Sequence, residues 1–293
     1  MALGYENITI EVQIFHFEKY INILFSFMFK GVIFEFTKSQ NKFNMQESKL
    51  KSIYDEQGYI AIESFLDANE LSELIANTNR FTTTVVPTIV ESEVYYEDKT
   101  DLETLKQVQH LDEFDVYYRK LAESEKMSKL ASLLLGGNAI LKNMQYFNKI
   151  PKIGKETPAH QDGYYFKIKP QEALTMWLSL GVADAENGAV CYIPRSHKWG
   201  MRNHGRTSLL GFSQSITDWS EKDDKAEIQM IAKPGDILVH HSLTIHRANA
   251  NKSNRTRESI GFIFYRDDVK IDNEAHAEYK KQLDSELKKQ GKI

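Results

Sequence analysis

Apolar and polar positions follow two textures along this chain, and the change falls near residue 138. Ahead of it, apolar residues recur at helical spacing. Leu71, Leu74 and Ile75 follow Asp67 and Glu70, an Asp-x-x-Glu capping pattern in which each side chain satisfies an otherwise free backbone N–H, so a helix is predicted to open there. Residues 59–62 just before it read as a short strand. Leu102, Leu105, Val108, Leu111, Leu130, Leu133 and Leu134 predict helix across 101–136, stopped by Gly136 and Gly137. Beyond 138, short β-rich runs alternate with turn signals at 174–180, 189–193, 227–231, 236–240 and 258–265, the spacing of a β-sandwich or barrel. Residues 273–292 read as a charged helix or tail. With no internal repeat and no low-complexity linker, one helix-decorated β domain is expected.

Residues 1–45 do not match this organisation. The apolar run at 21–29 is interrupted at Lys30 and Glu35, short of the roughly 20 apolar residues a spanning helix needs. No early positive charge or small-residue cleavage site marks a signal peptide. The segment reads as an accessory extension or as sequence translated ahead of a start at Met45, the alternative being a membrane-surface or partner-binding segment. The expected division is therefore 1–45 as extension, 46–270 as the functional domain and 271–293 as a charged tail.

Composition narrows the function classes. At 293 residues with 41% hydrophobic and 27% charged residues, the chain can bury a sizeable core and keep a solvated surface. A net charge of −4 and scattered basic residues argue against nucleic-acid binding. The single cysteine, Cys191, excludes an intrachain disulfide and a cysteine-based zinc site, and fits a reducing, cytoplasmic location.

The candidate chemistry lies in the histidines. Four His-x-acid pairs occur where about one is expected by chance from nine histidines and 41 acidic residues: His16/Glu18, His110/Asp112, His160/Asp162 and His276/Glu278. Residues i and i+2 share a face on a strand but point apart on a helix. The second and fourth pairs fall in helical patterns and are set aside; His16/Glu18 lies in the extension. His160/Asp162 follows Pro158 into the β-rich region. One histidine and one carboxylate closed by a distant histidine form the facial triad of non-haem Fe(II) oxygenases, which leaves positions open for reactants. The distal candidates are His197, His204, His240, His241 and His246. His240 and His241, being adjacent, face opposite ways on a strand. The charge run 221–225 reads as a solvated loop or part of a lid.

From residue 54 to about 268 the chain resembles the phytanoyl-CoA dioxygenase (PhyH-like) family of Fe(II)/2-oxoglutarate-dependent oxygenases. The resemblance rests on 55–59 with Phe65 and Leu66, on 148–162 ending in His160-Gln161-Asp162, on 175–178, on 186–197, and on Gly235-Asp236 leading to His246, 251–253 and Arg257. It implies a mainly β fold with flanking helices, built on a double-stranded β-helix, a cupin-like jelly roll. It implies His160, Asp162 and His246 as iron ligands and Arg257, eleven residues past His246, as the clamp on 2-oxoglutarate. An arginine fork matches a carboxylate in two parallel hydrogen bonds, which lysine does not. Gln145, Trp177, Thr175 and Lys149 are implied near the cosubstrate. Ala248 stands where relatives often carry serine.

The implied reaction consumes 2-oxoglutarate and O2, releases succinate and CO2, and hydroxylates, desaturates or cyclises a small molecule at a C–H bond. Retention of Asp162 points away from halogenation. Arg202, His204 and Arg206 suggest an anionic substrate, with Tyr164 lining its pocket; an amino-acid-derived or specialised metabolite is favoured over an acyl-CoA because no basic patch for the CoA phosphates stands out. The reading of another class is a metal-binding jelly roll that does not turn over 2-oxoglutarate.

Overall fold

The computed structural model describes residues 33–35, 43–206 and 214–275, with positions 277, 278, 281 and 285 beyond them. His16/Glu18, His276 and most of the charged tail lie outside the described residues. The larger sheet runs in the order β1 (Ile33–Glu35), β2 (Tyr59–Glu63), β13 (Ile237–His241), β8 (Ala173–Ser179), β15 (Arg257–Arg266), β5 (Ala139–Lys149), β4 (Leu105–Val108) and β3 (Val94–Tyr96). A four-stranded sheet holds β12 (Ile228–Gln229), β9 (Val190–Tyr192), β14 (His246–Ala248) and β6 (Thr157–His160). Two ribbons pair β7 (Ile168–Lys169) with β16 (Lys270–Ile271), and β10 (His204–Arg206) with β11 (Gln214–Ile216). The helices are α1 (Phe43–Gln57), α2 (Ala68–Arg80), α3 (Leu111–Phe114), α4 (Val116–Ala122), α5 (Glu125–Leu135), α6 (Gly163–Phe166) and α7 (Glu221–Ala226).

Alternation along the large sheet sorts its side chains between two cores. Ile60, Ile62, Leu174, Met176, Leu178, Ile237, Val239, Ile260, Phe262 and Phe264 point outward and pack against Leu50, Leu74, Tyr118, Met127 and Leu134 of the helices. Tyr59, Ala61, Trp177 and Leu238 point inward and meet Val190 and Tyr192 of the small sheet. Both faces are covered, so β8 is buried at every position and reads as one apolar run. This is the jelly roll that the sequence leads one to expect, with helices on its outer face.

The capping box on α2 forms: Asp67 Oδ1 accepts from the backbone N–H of Asn69 and Glu70 at 2.9 and 3.0 Å, and Glu70 Oε2 accepts from the Asp67 N–H at 2.8 Å. Such a cap is worth about 1 kcal/mol. α5 ends at Gly136, whose φ of +66° is the left-handed geometry a C-cap needs.

Two expectations are corrected. The helix over 101–136 is broken into a 3-10 turn at Leu102–Thr104, strand β4 and three helices. Thr104 Oγ1 donates to the Asp98 and Asp101 carbonyls and Asp101 caps the turn, leaving Leu102 68% exposed. The 221–225 run is a capped helix, with Asp223 buried, rather than a loop. Among the described residues, α1 opens at Phe43 and β1 pairs in parallel with β2.

Candidate functional site

Inward-facing residues of the large sheet line up in cross-strand rows. One row runs Asn143, Ile263, Thr175, His240, Tyr59; the next runs Gln145, Gly261, Trp177, Leu238, Ala61; a third pairs Lys149 with Arg257. Gly261 thus sits between Gln145 and Trp177 with no side chain, and a Cβ there would lie 2.9 Å from the Phe147 ring. These rows floor a cavity of about 700 Å³ between the sheets.

At one wall of the cavity, His160, Asp162 and His246 each offer a ligand atom within 4.8 Å of the others. His160 and His246 are register partners on β6 and β14. The expectation that His160 and Asp162 share one strand is corrected: β6 ends at His160, and Asp162 has φ −57° and ψ −36° at the start of α6. The backbone turns between them, and that turn brings the carboxylate alongside the imidazole. Asp162 Oδ1 lies 3.4 Å from His160 Nε2 and 3.6 Å from His246 Nε2.

The histidine tautomers follow from their partners. His160 Nδ1 is 2.8 Å from the Pro158 carbonyl and His246 Nδ1 is 3.1 Å from the Thr244 carbonyl. A carbonyl only accepts, so each Nδ1 carries a hydrogen and Nε2 is the nitrogen left for a metal, the arrangement typical of metal-binding histidines. Burial alone would raise the Asp162 carboxyl; His246, His160 and His240 override it and hold the group well below the ordinary carboxylate range. Burial, with His160 and His240 nearby, pushes His246 well below its ordinary value. Two neutral imidazoles and one carboxylate form a donor set suited to a divalent first-row metal, Fe(II) included.

Arg257 is 5% exposed, and its Nε is a buried donor without a hydrogen-bond partner. Its Cζ lies 5.1 Å from the Trp177 ring centroid, and burial lowers the guanidinium to about 10. A buried charge without an anion is costly, and this one lines the same cavity as the triad. Lys149 lines it too, but its Nζ donates to the carbonyls of Lys155 and Asn249 at 2.6 and 3.0 Å, and burial with Arg257 beside it lowers the ammonium strongly. Gln145 Oε1 accepts from Gln107 Nε2 at 2.8 Å, and Thr175 donates to Asp162 Oδ2 at 2.6 Å.

Of the residues expected to meet substrate, Arg202, His204, Arg206 and Tyr164 do not line the cavity. The Arg202 guanidinium is held by Asp223 at 2.8 Å and Asp218 at 3.0 Å. His204 stacks on Tyr164 at 4.4 Å, and its Nε2 accepts from the Gln161 N–H at 3.1 Å. Arg206 is exposed on β10. Tyr165, next to Tyr164, lines the cavity instead and lies edge-on to His160 at 5.8 Å.

Sequence reasoning missed the wall made by β3, β4 and β5. His110, set aside as helical, precedes α3 with a left-handed φ of +56° and lines the cavity. Its backbone N–H donates to Asn143 Oδ1 at 3.1 Å and its Nδ1 lies 2.9 Å from Glu93 Oε2; the bond to Glu93 raises its pKa. Gln107, Gln109 and Lys142 line the same wall.

Comparison with known proteins gives the following. A family model described as phytanoyl-CoA dioxygenase (PhyH) matches residues 54–259. A probable alpha-ketoglutarate-dependent hypophosphite dioxygenase of Stutzerimonas stutzeri is 28% identical over 213 residues, 71% of this chain and 74% of that protein. The peroxisomal phytanoyl-CoA dioxygenase of Bos taurus is 24% identical over 249 residues, 79% of this chain and 71% of that protein. Among solved structures, the epimerase SnoN in complex with Fe3+, alpha ketoglutarate and nogalamycin RO superposes with a TM-score of 0.63 at 21% identity, covering 77% of this chain and 86% of that one.

Proposed function

This chain belongs to the phytanoyl-CoA dioxygenase (PhyH) family of Fe(II)- and 2-oxoglutarate-dependent oxygenases, and from that premise we propose that it hydroxylates, desaturates or cyclises a small anionic molecule at a C–H bond. The observation that carries the reading is Arg257: a buried guanidinium with no carboxylate partner among the described residues, in one cavity with a His-Asp-His cluster whose ligand atoms lie within 4.8 Å of one another.

His160, Asp162 and His246 would hold Fe(II), and Arg257 would bind the far carboxylate of 2-oxoglutarate. Bound together with O2, these groups supply the oxidising power that amino-acid side chains lack. The chain's own residues do the rest. Arg257 holds the cosubstrate by a charge-assisted fork, with Trp177 packed on its guanidinium plane. Gly261 has no side chain between Gln145 and Trp177, and the Phe147 ring packs close over it. Lys149 is spent on two carbonyls; its part is to brace the loops at 155 and 249.

An anionic substrate is supported by charge. Six basic residues line the cavity, Lys106, Lys142, Lys149, Lys155, Arg247 and Arg257, with three carboxylates, Glu93, Glu97 and Asp162, in a protein whose net charge is −4. Fe(II) and doubly charged 2-oxoglutarate cancel, the ion pair of Arg247 with Glu227 removes one cation, and burial beside Arg257 disfavours the charged form of Lys149, so one positive charge remains. Lys142 has no carboxylate partner among the described residues, its Nζ standing 5.8 Å from the Tyr265 ring centroid. With Asn143 and His110 beside it, Lys142 is the group we assign to the substrate anion, in place of Arg202 and Arg206.

No helix among the described residues is long and apolar enough to cross a membrane. A cytoplasmic setting remains our reading, resting on the single buried Cys191.

The test is Fe(II)-dependent succinate formation from 2-oxoglutarate in the presence of matched pairs of small carboxylates or phosphonates and their neutral amides or esters. The reading expects stimulation by an anion and not by its neutral counterpart. Stimulation by the neutral members alone would remove the anionic class, and succinate formation independent of Fe(II) would remove the oxygenase.

A further inference from the structure

Asp162 has two oxygens with different surroundings. Oδ1 faces the Nε2 atoms of His160 and His246. Oδ2 accepts from Thr175 Oγ1 at 2.6 Å and lies 3.1 Å from His240 Nε2. His240 is buried at 3% exposure, and its other nitrogen, Nδ1, lies 3.0 Å from the Tyr192 hydroxyl. Tyr192 comes from the opposite sheet and is stacked on Tyr59 at 4.7 Å and 20°.

Asp162 is a carboxylate, which only accepts, so His240 Nε2 carries the hydrogen that bonds it. The Tyr192 hydroxyl bonds the other ring nitrogen and so fixes the orientation of the imidazole. His240 lies outside the three-residue ligand cluster.

A carboxylate free to rotate can bind a metal through both oxygens and occupy a position that a reactant needs. Thr175 and His240 hold two hydrogens against Oδ2, so that oxygen is satisfied where it stands and only Oδ1 is presented. We propose that the Tyr192–His240 pair, with Thr175, is a positioning device that fixes Asp162 as a one-oxygen ligand and keeps its second oxygen off the metal. This rests on the iron reading above. Their effect on the site is exerted through Asp162.

The experiment measures Fe(II) affinity of the metal-free full chain without oxygen, by competition with a chromophoric chelator, and then the visible charge-transfer band after adding 2-oxoglutarate. His240→Phe keeps the ring volume and removes the donor; affinity is expected to fall by about 10- to 100-fold, as for other partners of metal ligands, and the band to shift or weaken. His240→Gln can still donate to Oδ2 and is expected to stay within about threefold of the parent, a rescue that lost packing does not give. Tyr192→Phe leaves the imidazole in place and is expected to weaken binding by about three- to tenfold. Equal affinity and an unshifted band in both His240→Phe and Tyr192→Phe would overturn the proposal and leave the iron reading intact. Failure of the parent chain to bind Fe(II) would overturn the iron reading itself. If melting of the metal-free protein shows that His240→Phe does not fold, Tyr192→Phe decides: weaker binding supports the device, unchanged binding refutes it.

Discussion

Arg257 and Trp177 meet across neighbouring strands β15 and β8, the guanidinium carbon 5.1 Å from the indole centroid, and the Nε that the ring leaves uncovered has no hydrogen-bond partner. An indole face holds the cation and gives it nothing to hydrogen-bond, so the pair is a half-built carboxylate site. Arg257→Met is expected to raise the 2-oxoglutarate KM by about 10- to 100-fold, the worth of a charged hydrogen bond. Arg257→Lys keeps the charge and loses the fork, and should still cost about tenfold. Fe(II) affinity should stay within about threefold in both, because neither replaces a ligand. Steady-state succinate assays and chelator competition check the two halves.

Lys142 separates substrate from cosubstrate. Lys142→Met is expected to raise the KM of the stimulating anion about tenfold while the KM for 2-oxoglutarate is unchanged, the loss of one charge-assisted contact. A parallel rise in both constants would show that Lys142 shapes the cavity rather than reading the substrate.

Neighbours on β15 should fail in opposite ways, because Phe262 faces the helix-side core and Gly261 faces the cavity. Phe262→Ala is expected to cost about 3–5 kcal/mol of stability, with metal affinity retained in the folded fraction. Gly261→Val is expected to push the Phe147 ring aside, at a smaller cost in stability, and to weaken 2-oxoglutarate binding, since side-chain atoms then crowd the floor between Gln145 and Trp177. Denaturant melts and cosubstrate titrations distinguish them.

Stability should fall with acid before carboxylates are titrated. Burial lowers His204 to about 4, although its bond to the Arg202 carbonyl opposes this, and burial with His197 nearby lowers His241 to about 3. The unfolded chain takes up these protons as pH falls through about 6.5, while the folded protein resists until about 4 and 3, so unfolding is progressively favoured between those values. His110, raised by Glu93, works the other way: its stabilisation is full below about 6.5 and is lost as pH rises through its higher folded value. His197 and His246 are lowered by burial as well, so the four lowered histidines outweigh the one raised, and the melting temperature of metal-free protein should drop by several degrees from about pH 7 to about pH 5. A flat or rising profile would contradict the neutral, buried state assigned to His204 and His241.

The α2 cap, the α5 stop and the turn-separated strands are legible because each is a local pattern; the jelly roll itself is implied by the family resemblance. The β4 wall is not legible. Lys106 and Gln107 are polar yet buried, Lys106 by its pairing with Glu97 at 3.3 Å and Gln107 by Gln145, so the strand carries no alternation, and Leu105 and Val108 continue the helix-like spacing of Leu102 and Leu111. His110 was discarded with that false helix. The His160/Asp162 pair was chosen by a strand rule, although the chain turns between the two residues. Arg202 looked like a free basic group because its partners Asp218 and Asp223 lie 16 and 21 residues further on, and nothing local announces them. Inward polar residues of the large sheet become readable only when the rows across its strands are known.

The central claim is that His160, Asp162 and His246 bind Fe(II) in one cavity with a 2-oxoglutarate site at Arg257. Its most direct test is the visible spectrum of the oxygen-free protein on addition of Fe(II) and then 2-oxoglutarate. The account predicts a weak charge-transfer band that needs both additions, is absent in His160→Ala, and is lost in Arg257→Met until 2-oxoglutarate is raised by about the factor lost in affinity. A parent chain that binds Fe(II) and 2-oxoglutarate yet gives no band, or an undiminished band in His160→Ala, would contradict it.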